Sequence, residues 1–188
     1  MNSQLVPVDT SSFQESMTFW AADASIDVAL NEGRDRSSKA RVAVAPSLAN
    51  GDADGPVWVC DLRITHWSTP QTELLACLVA HVLAREDGEG SPVIFTDFQA
   101  AERLLDSILG LRPMKRPETF QPLPQLALLM EALGEELDYV HLHWLPRRST
   151  PALALADKAA CRRNQQSEKL VFEDLLSAAD RLRKLVAS

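Results

Sequence analysis

The chain has 188 residues, of which 46% are hydrophobic and 24% charged, the balance of one packed domain with a full core rather than a disordered or fibrous chain. No run approaches the roughly 20 apolar residues of a membrane-spanning helix, and the opening MNSQLVPVDTSSFQES lacks the basic flank and apolar centre of a secretory signal, so the expected location is the cytoplasm, with no membrane partner. A formal net charge of -7 sets the surface as a whole against nucleic acid, and any phosphate contact must come from a local basic cluster.

Residues 1–16 read as an N-terminal tail. The first predicted strand is MTFWAADASID, residues 17–27, where the period of two sets Phe19, Ala21, Asp23, Ser25 and Asp27 on one face. Lys39–Ala45 (KARVAVA) and Val57–Ile64 (VWVCDLRI) are two further strands, rich in β-branched residues and bounded by Pro46 and the Gly51–Pro56 loop. Short connections between the three predict an antiparallel meander.

A helix follows, with Thr69 as its expected cap, Pro70 in its first turn, and an apolar stripe of Leu74, Leu75, Leu78 and Val82 reaching about Glu86. Pro92–Thr96 (PVIFT) is a compact strand running into a helix that carries Ala101, Leu104, Leu105 and Ile108 on one side. Strand then helix implies a crossover and a parallel neighbour. Beyond a Pro-rich link come a helix over Pro124–Leu133, a strand over Tyr139–Leu145 (YVHLHWL), and an alanine-rich helix opened by Pro151 and reaching about Arg163. The last element, Leu170–Val186, stripes Phe172, Leu175, Leu176, Ala179, Leu182 and Val186 on one face, with acidic residues early and basic residues late.

An acidic residue sits on each of four elements: Asp23-Ala24-Ser25 on the first strand, Glu73-Leu74-Leu75-Ala76 early in the first helix, Thr96-Asp97-Phe98-Gln99 at the end of the fourth strand, and Ala156-Asp157-Lys158-Ala159-Ala160 on the alanine-rich helix. In element order and in these four motifs the chain resembles the ribonuclease H-like superfamily, over roughly residues 17–163. The resemblance implies an α/β fold with a mixed five-stranded sheet, a three-strand antiparallel meander plus two parallel strands, flanked by helices. Residues 164–188 are then a C-terminal amphipathic helix packed on the domain or used in homodimerisation. The family often has a Gly-rich turn after its first strand and a His in the loop before its last carboxylate; here those places read VALNEGRDRSS and Pro146–Pro151.

The implied activity is metal-dependent phosphodiester hydrolysis, with Asp23, Glu73, Asp97 and Asp157 as catalytic and metal-binding residues and the RNA strand of an RNA/DNA hybrid as substrate. A non-catalytic module of the same fold that binds nucleic acid or protein, and a structure-specific DNA endonuclease, remain open beside it. Two like charges about 4 Å apart repel by about 4 kcal/mol at an effective dielectric of 20, so four converging carboxylates call for cations. Hard oxygen ligands suit Mg²⁺ or Mn²⁺, and two such ions can serve the attacking and leaving oxygens. Lys115, Arg116, Arg147 and Arg148 are the expected backbone contacts, read by shape rather than base sequence.

Each carboxylate also has a structural role open to it. Asp97 could cap the helix that follows it, and Asp27 rivals Asp23 on the same strand face. Asp157 has apolar or small helical neighbours in Leu153, Ala154, Ala160 and Cys161, so it needs a partner. His141 and His143 share a strand face but have no Cys or third His nearby, and read as packed or exposed rather than as metal ligands. Cys60, Cys77 and Cys161, odd in number and set in apolar runs, are expected as buried thiols in a reducing compartment. No Walker loop, nucleophile elbow or dinucleotide fingerprint occurs.

Overall fold

Alternating residues in the first two strands dictate where everything else packs. The computed structural model describes residues 17–27, 38–65, 68–88, 90–114, 117, 120–161 and 166–187. Strand β1 (Phe19–Asp27) pairs antiparallel with β2 (Ser38–Ser47), which pairs antiparallel with β3 (Trp58–Ile64). Trp20, Ala22, Val42 and Val44 face one side and join the main core; Ala21, Ala43 and Ala45 face the other, where the side chains are small.

Helix α1 (Thr69–Asp87) crosses over to β4 (Val93–Thr96), which lies parallel to β1. Next come α2 (Gln99–Ile108), α3 (Pro124–Leu133), a 3-10 helix (Gly134–Tyr139) and β5 (His141–Trp144), parallel to β4. Helix α4 (Pro151–Ala160), a two-residue strand β6 (Glu168–Lys169) parallel to β3, and α5 (Phe172–Val186) complete the chain. The sheet order is β5-β4-β1-β2-β3-β6. This corrects the expected five strands to six: β6 sits where the sequence offers only Glu-Lys, and the open edge of β3 supplies the pairing.

The main core lies between the sheet and α1, α3 and α5. Helix α1 is buried on nearly every side, from Gln71 to Ala84, and not along one stripe, because α2, α3 and α5 cover the face turned from the sheet. Leu175, Ala178, Ala179 and Leu182 seat α5 in the same core. The cap of α1 is Ser68, not Thr69, with Pro70 in the first turn as read from sequence.

Helix α4 packs on the opposite face, its Ala152, Ala156, Ala159 and Ala160 against Ala21, Ala43 and Ala45. Side chains this small let helix and sheet backbones approach closely. Its first turn is fastened twice: Thr150 Oγ1 accepts the Leu153 N–H at 3.2 Å, and Gly51 O accepts the Ala152 N–H at 3.0 Å. Gly51 has φ +88°, and a Cβ there would lie 2.4 Å from Thr150 Cγ2, so the loop between β2 and β3 can clamp α4 only with glycine at this place. Cys60 and Cys77 are buried thiols, and burial pushes Cys60 up to about 11. Cys161 is exposed, a correction to its expected burial: it is the C-cap of α4, past the last residue that faces the sheet.

One buried polar cluster braces α1 to the 3-10 helix. His81 Nε2 lies 3.0 Å from Glu136 Oε1, and Arg85 Nε donates to the same oxygen at 2.7 Å; His81 and Glu136 are fully buried. Burial lowers the His81 pKa, with Glu136 opposing; burial disfavours charge on Glu136 too, but the His81 and Arg85 hydrogen bonds hold it below its ordinary range. Both groups therefore bind protons less readily folded than unfolded. Their contribution is complete above 6.5, the ordinary histidine value, and is lost as pH falls, first through His81 and then through Glu136. We expect His81→Gln to lower unfolding free energy at pH 7.5 by roughly 1–3 kcal/mol. The gap from wild type should narrow at pH 5.5 in urea titrations; a gap that does not change with pH would show that the imidazole is not the titrating group.

Candidate active site

Four elements bring acidic side chains to one end of the sheet. Strands β1, β4 and β5 run parallel, and α1 and α4 each begin where a strand of that orientation ends, which is the end where α/β sheets hold ligands. The β1–β4 register stops at Ala22 opposite Thr96, so Asp23 and Asp97 occupy the next level on adjacent strands. Strand β1 continues past this point while β4 does not, leaving a rim. Glu73 reaches the rim from the second turn of α1 and Asp157 from the second turn of α4, on opposite faces of the sheet. Ser25 Oγ donates to Ala160 O, which fixes α4 along β1 one turn beyond Asp157.

Asp23, Glu73 and Asp157 are buried, at 5%, 5% and 1% exposure, and Asp97 is partly buried. Burial pushes Asp23 up to about 7, with repulsion from Asp97 and Asp157 adding and the Ala24 N–H, 2.7 Å from Asp23 Oδ1, opposing. Glu73 is raised well above its ordinary range by burial, then by Asp23 and Asp97. Asp97 is raised by burial against the pull of Arg147. Asp23 thus lies within reach of the charge of Asp97 and Asp157, and Glu73 within reach of Asp23 and Asp97. Glu73 Oε2 is buried without a hydrogen-bond partner among the described residues.

Asp157 differs. Burial opposes its charge, yet Arg147 and Arg148 hold it below the ordinary carboxylate range. Arg147 Nη2 lies 2.5 Å from Asp157 Oδ1, and Arg148 Nε and Nη2 lie 2.8 and 2.6 Å from Oδ2. Arg147 Nε also approaches Asp97 Oδ2 at 3.7 Å. The partner that the apolar surroundings of Asp157 demanded is thus a pair of guanidinium groups. As placed, no three His, Cys, Asp or Glu side chains among the described residues form a group that could hold a metal ion. The oxygen donor set and the orphaned Glu73 Oε2 fit a hard divalent cation; the arginines stand where it would bind Asp157.

The remaining sequence readings fall as follows. Asp97 does not cap α2: the cap is Phe98, which makes no side-chain cap bond, and Thr96 Oγ1 accepts the Phe98 N–H at 3.2 Å. That removes its main structural alternative. Lys115 and Arg116 lie outside the described residues, as does the Asp27 side chain. His141 and His143 are exposed on β5, His143 edge-on to Phe95. Two features went unread: the Ala24 backbone donor, which no residue type signals, and the arginine grip on Asp157, whose only trace was two basic residues nine and ten positions before a carboxylate.

No protein-family model and no curated protein sequence matches the chain. Among solved structures, the Prototype Foamy Virus protease-reverse transcriptase (a selenomethionine-labelled mutant) is similar at 17% identity and TM-score 0.54, over 87% of this chain and 22% of that one. The foamy viral protease-reverse transcriptase in complex with RNA/DNA hybrid is similar at 14% identity and TM-score 0.53, over 87% and 21%. This chain therefore spans about a fifth of those proteins. RNase H1 from Halobacterium salinarum NRC-1 matches at 17% identity and TM-score 0.48, over 79% of this chain and 99% of the other. With an antiparallel β1-β2-β3 meander, parallel β4 and β5 beside β1, and helices on both faces, the chain has the ribonuclease H-like fold.

Proposed function

We propose that this chain is a nuclease that hydrolyses the RNA strand of RNA/DNA hybrids, using Mg²⁺ or Mn²⁺ held by Asp23, Glu73, Asp97 and Asp157. The observation that carries the reading is the placement of Asp23, Glu73 and Asp97 on one buried rim with little positive charge among them, which also raises their proton affinity. A site built only for stability would pair or remove those charges. A structural neighbour held with RNA/DNA hybrid supports nucleic acid as the partner.

When bound, two divalent ions would supply Lewis acidity and charge neutralisation at the scissile phosphate. The chain's own residues do the rest. Asp23 and Asp97, on adjacent strands, form the rigid floor; Glu73 and Asp157 close it from the two helix layers. The Ala24 N–H orients Asp23. The sheet and the alanine-packed α4 fix these groups against reorganisation, which is what preorganised sites require. Arg147 and Arg148, whose side chains are 63% and 50% exposed, lie at the mouth and are suited to phosphate oxygens. Lys115 and Arg116 complete the proposed backbone contacts. The arginine pair on Asp157 favours a second reading, a non-catalytic module of the same fold in which guanidinium has taken over the cation's role.

The readings separate experimentally. Asp23→Asn should leave metal-free stability unchanged or raised, since burial and Asp97 oppose that charge, while hybrid cleavage falls at least roughly 100-fold, more than loss of an outer-shell group costs. Wild-type cleavage by this variant would sink the assignment. Asp157→Asn should also abolish cleavage but lower metal-free stability by about 1 kcal/mol or more, because two guanidinium groups lose their acceptor. Mg²⁺ at 100 times its dissociation constant should stabilise the wild type by about 2.7 kcal/mol, read as a rise in Tm that Asp23→Asn lacks. No shift at millimolar metal, with no cleavage of hybrid, duplex RNA or duplex DNA, would establish the non-catalytic module.

A further inference from the structure

The turn from β5 into α4 has an unusual build. Pro146 to Ser149 form a tight turn closed by the Ser149 N–H to Pro146 O at 2.9 Å, with Arg147 and Arg148 in its two central places. Arg148 has φ +55°, the one positive φ on a non-glycine among the described residues, and an L-residue without the short polar side chain of Asn or Asp adopts it at a cost. Glycine would relieve that cost, yet an arginine stands there. The strain persists because the Arg148 guanidinium is anchored on Asp157 by two contacts. Arg147 spans two acidic groups, Asp157 at 2.5 Å and Asp97 at 3.7 Å, so its guanidinium supplies positive charge to two carboxylates at once.

We propose that this turn is a tethered cationic stopper: Arg147 and Arg148 occupy Asp157 and Asp97 until a divalent cation displaces them, and both guanidinium groups are then released to bind nucleic-acid phosphate. The inference rests on the metal-dependent reading above. Guanidinium spreads one charge over a plane, whereas a divalent ion concentrates two in a sphere, so the carboxylates prefer the ion once it is abundant. Partial solvent exposure of both arginines allows them to leave without unpacking the core. The unpartnered, buried Glu73 Oε2 is beyond what the arginines satisfy and favours the exchange. Arginines held on Asp157 cannot serve phosphate at the same time, so metal and nucleic acid act on one equilibrium and each favours binding of the other.

Two measurements on the full chain test this. Arg147→Lys with Arg148→Lys keeps the charge but loses the forked hydrogen bonds; calorimetric titration with Mg²⁺ should show metal binding roughly tenfold tighter, the equivalent of 1.4 kcal/mol. A purely through-space effect of positive charge would leave the affinity unchanged. In the wild type, NMR signals of the Arg147 and Arg148 Nε–H groups, assigned from the single variants, should move on Mg²⁺ saturation to the positions and fast exchange of free arginine. If Mg²⁺ binds while those signals stay put and the double variant binds no tighter, the turn is a static brace and the stopper is overturned, with the nuclease reading intact. If neither protein binds Mg²⁺, both fall together.

Discussion

Negative charge held out of water at the rim of β1 and β4 is the constraint on which the rest of this molecule turns. Asp23, Glu73 and Asp157 are almost fully buried, and neither solvent nor salt screens them as it would on a surface. Burial disfavours the charged form of such groups, and Asp23, Glu73 and Asp97 are all raised above the ordinary carboxylate range. Only Asp157, gripped by two arginines, stays firmly charged. The site is thus divided between three carboxylates whose charge burial disfavours and one whose charge two arginines sustain.

Holding such a cluster together takes a stiff frame on both sides of the sheet. Alanine supplies it on the α4 face: Ala21, Ala43 and Ala45 below and Ala152, Ala156, Ala159 and Ala160 above have no rotamers to rearrange. On the other face α1 is immobilised by burial along nearly its whole length and by the His81–Glu136–Arg85 brace near its far end. Glu73 at one end of α1 and that brace at the other belong to one rigid rod, so stability and site geometry are coupled through a single helix.

Alternation in KARVAVA, the prolines opening α3 and α4, and the acidic residue on each of four elements made the sheet, the helices and the four carboxylates legible. These are local signals, and local signals survive in a sequence. What stayed hidden depends on distant partners. Glu136 lies between the predicted helix that ends at Leu133 and the predicted strand that starts at Tyr139, and only His81 and Arg85, 55 and 51 residues away, make sense of its burial. Strand β6 is two charged residues whose pairing comes from the edge of β3. The grip of Arg147 and Arg148 on Asp157 hangs on a turn whose left-handed residue is an arginine, where glycine, asparagine or aspartate would have signalled the conformation.

The Gly51 clamp bears on how this gene tolerates change. A residue about a hundred positions before Asp157, with no side chain and no part in chemistry, sets how far the first turn of α4 can descend toward the sheet. Any inherited replacement there would push Thr150 aside and tilt the helix, and every acidic and basic group would survive intact in the sequence while their spacing was lost. Lineages carrying such a lesion would keep all four carboxylates in the sequence and forfeit the geometry that brings them to one rim.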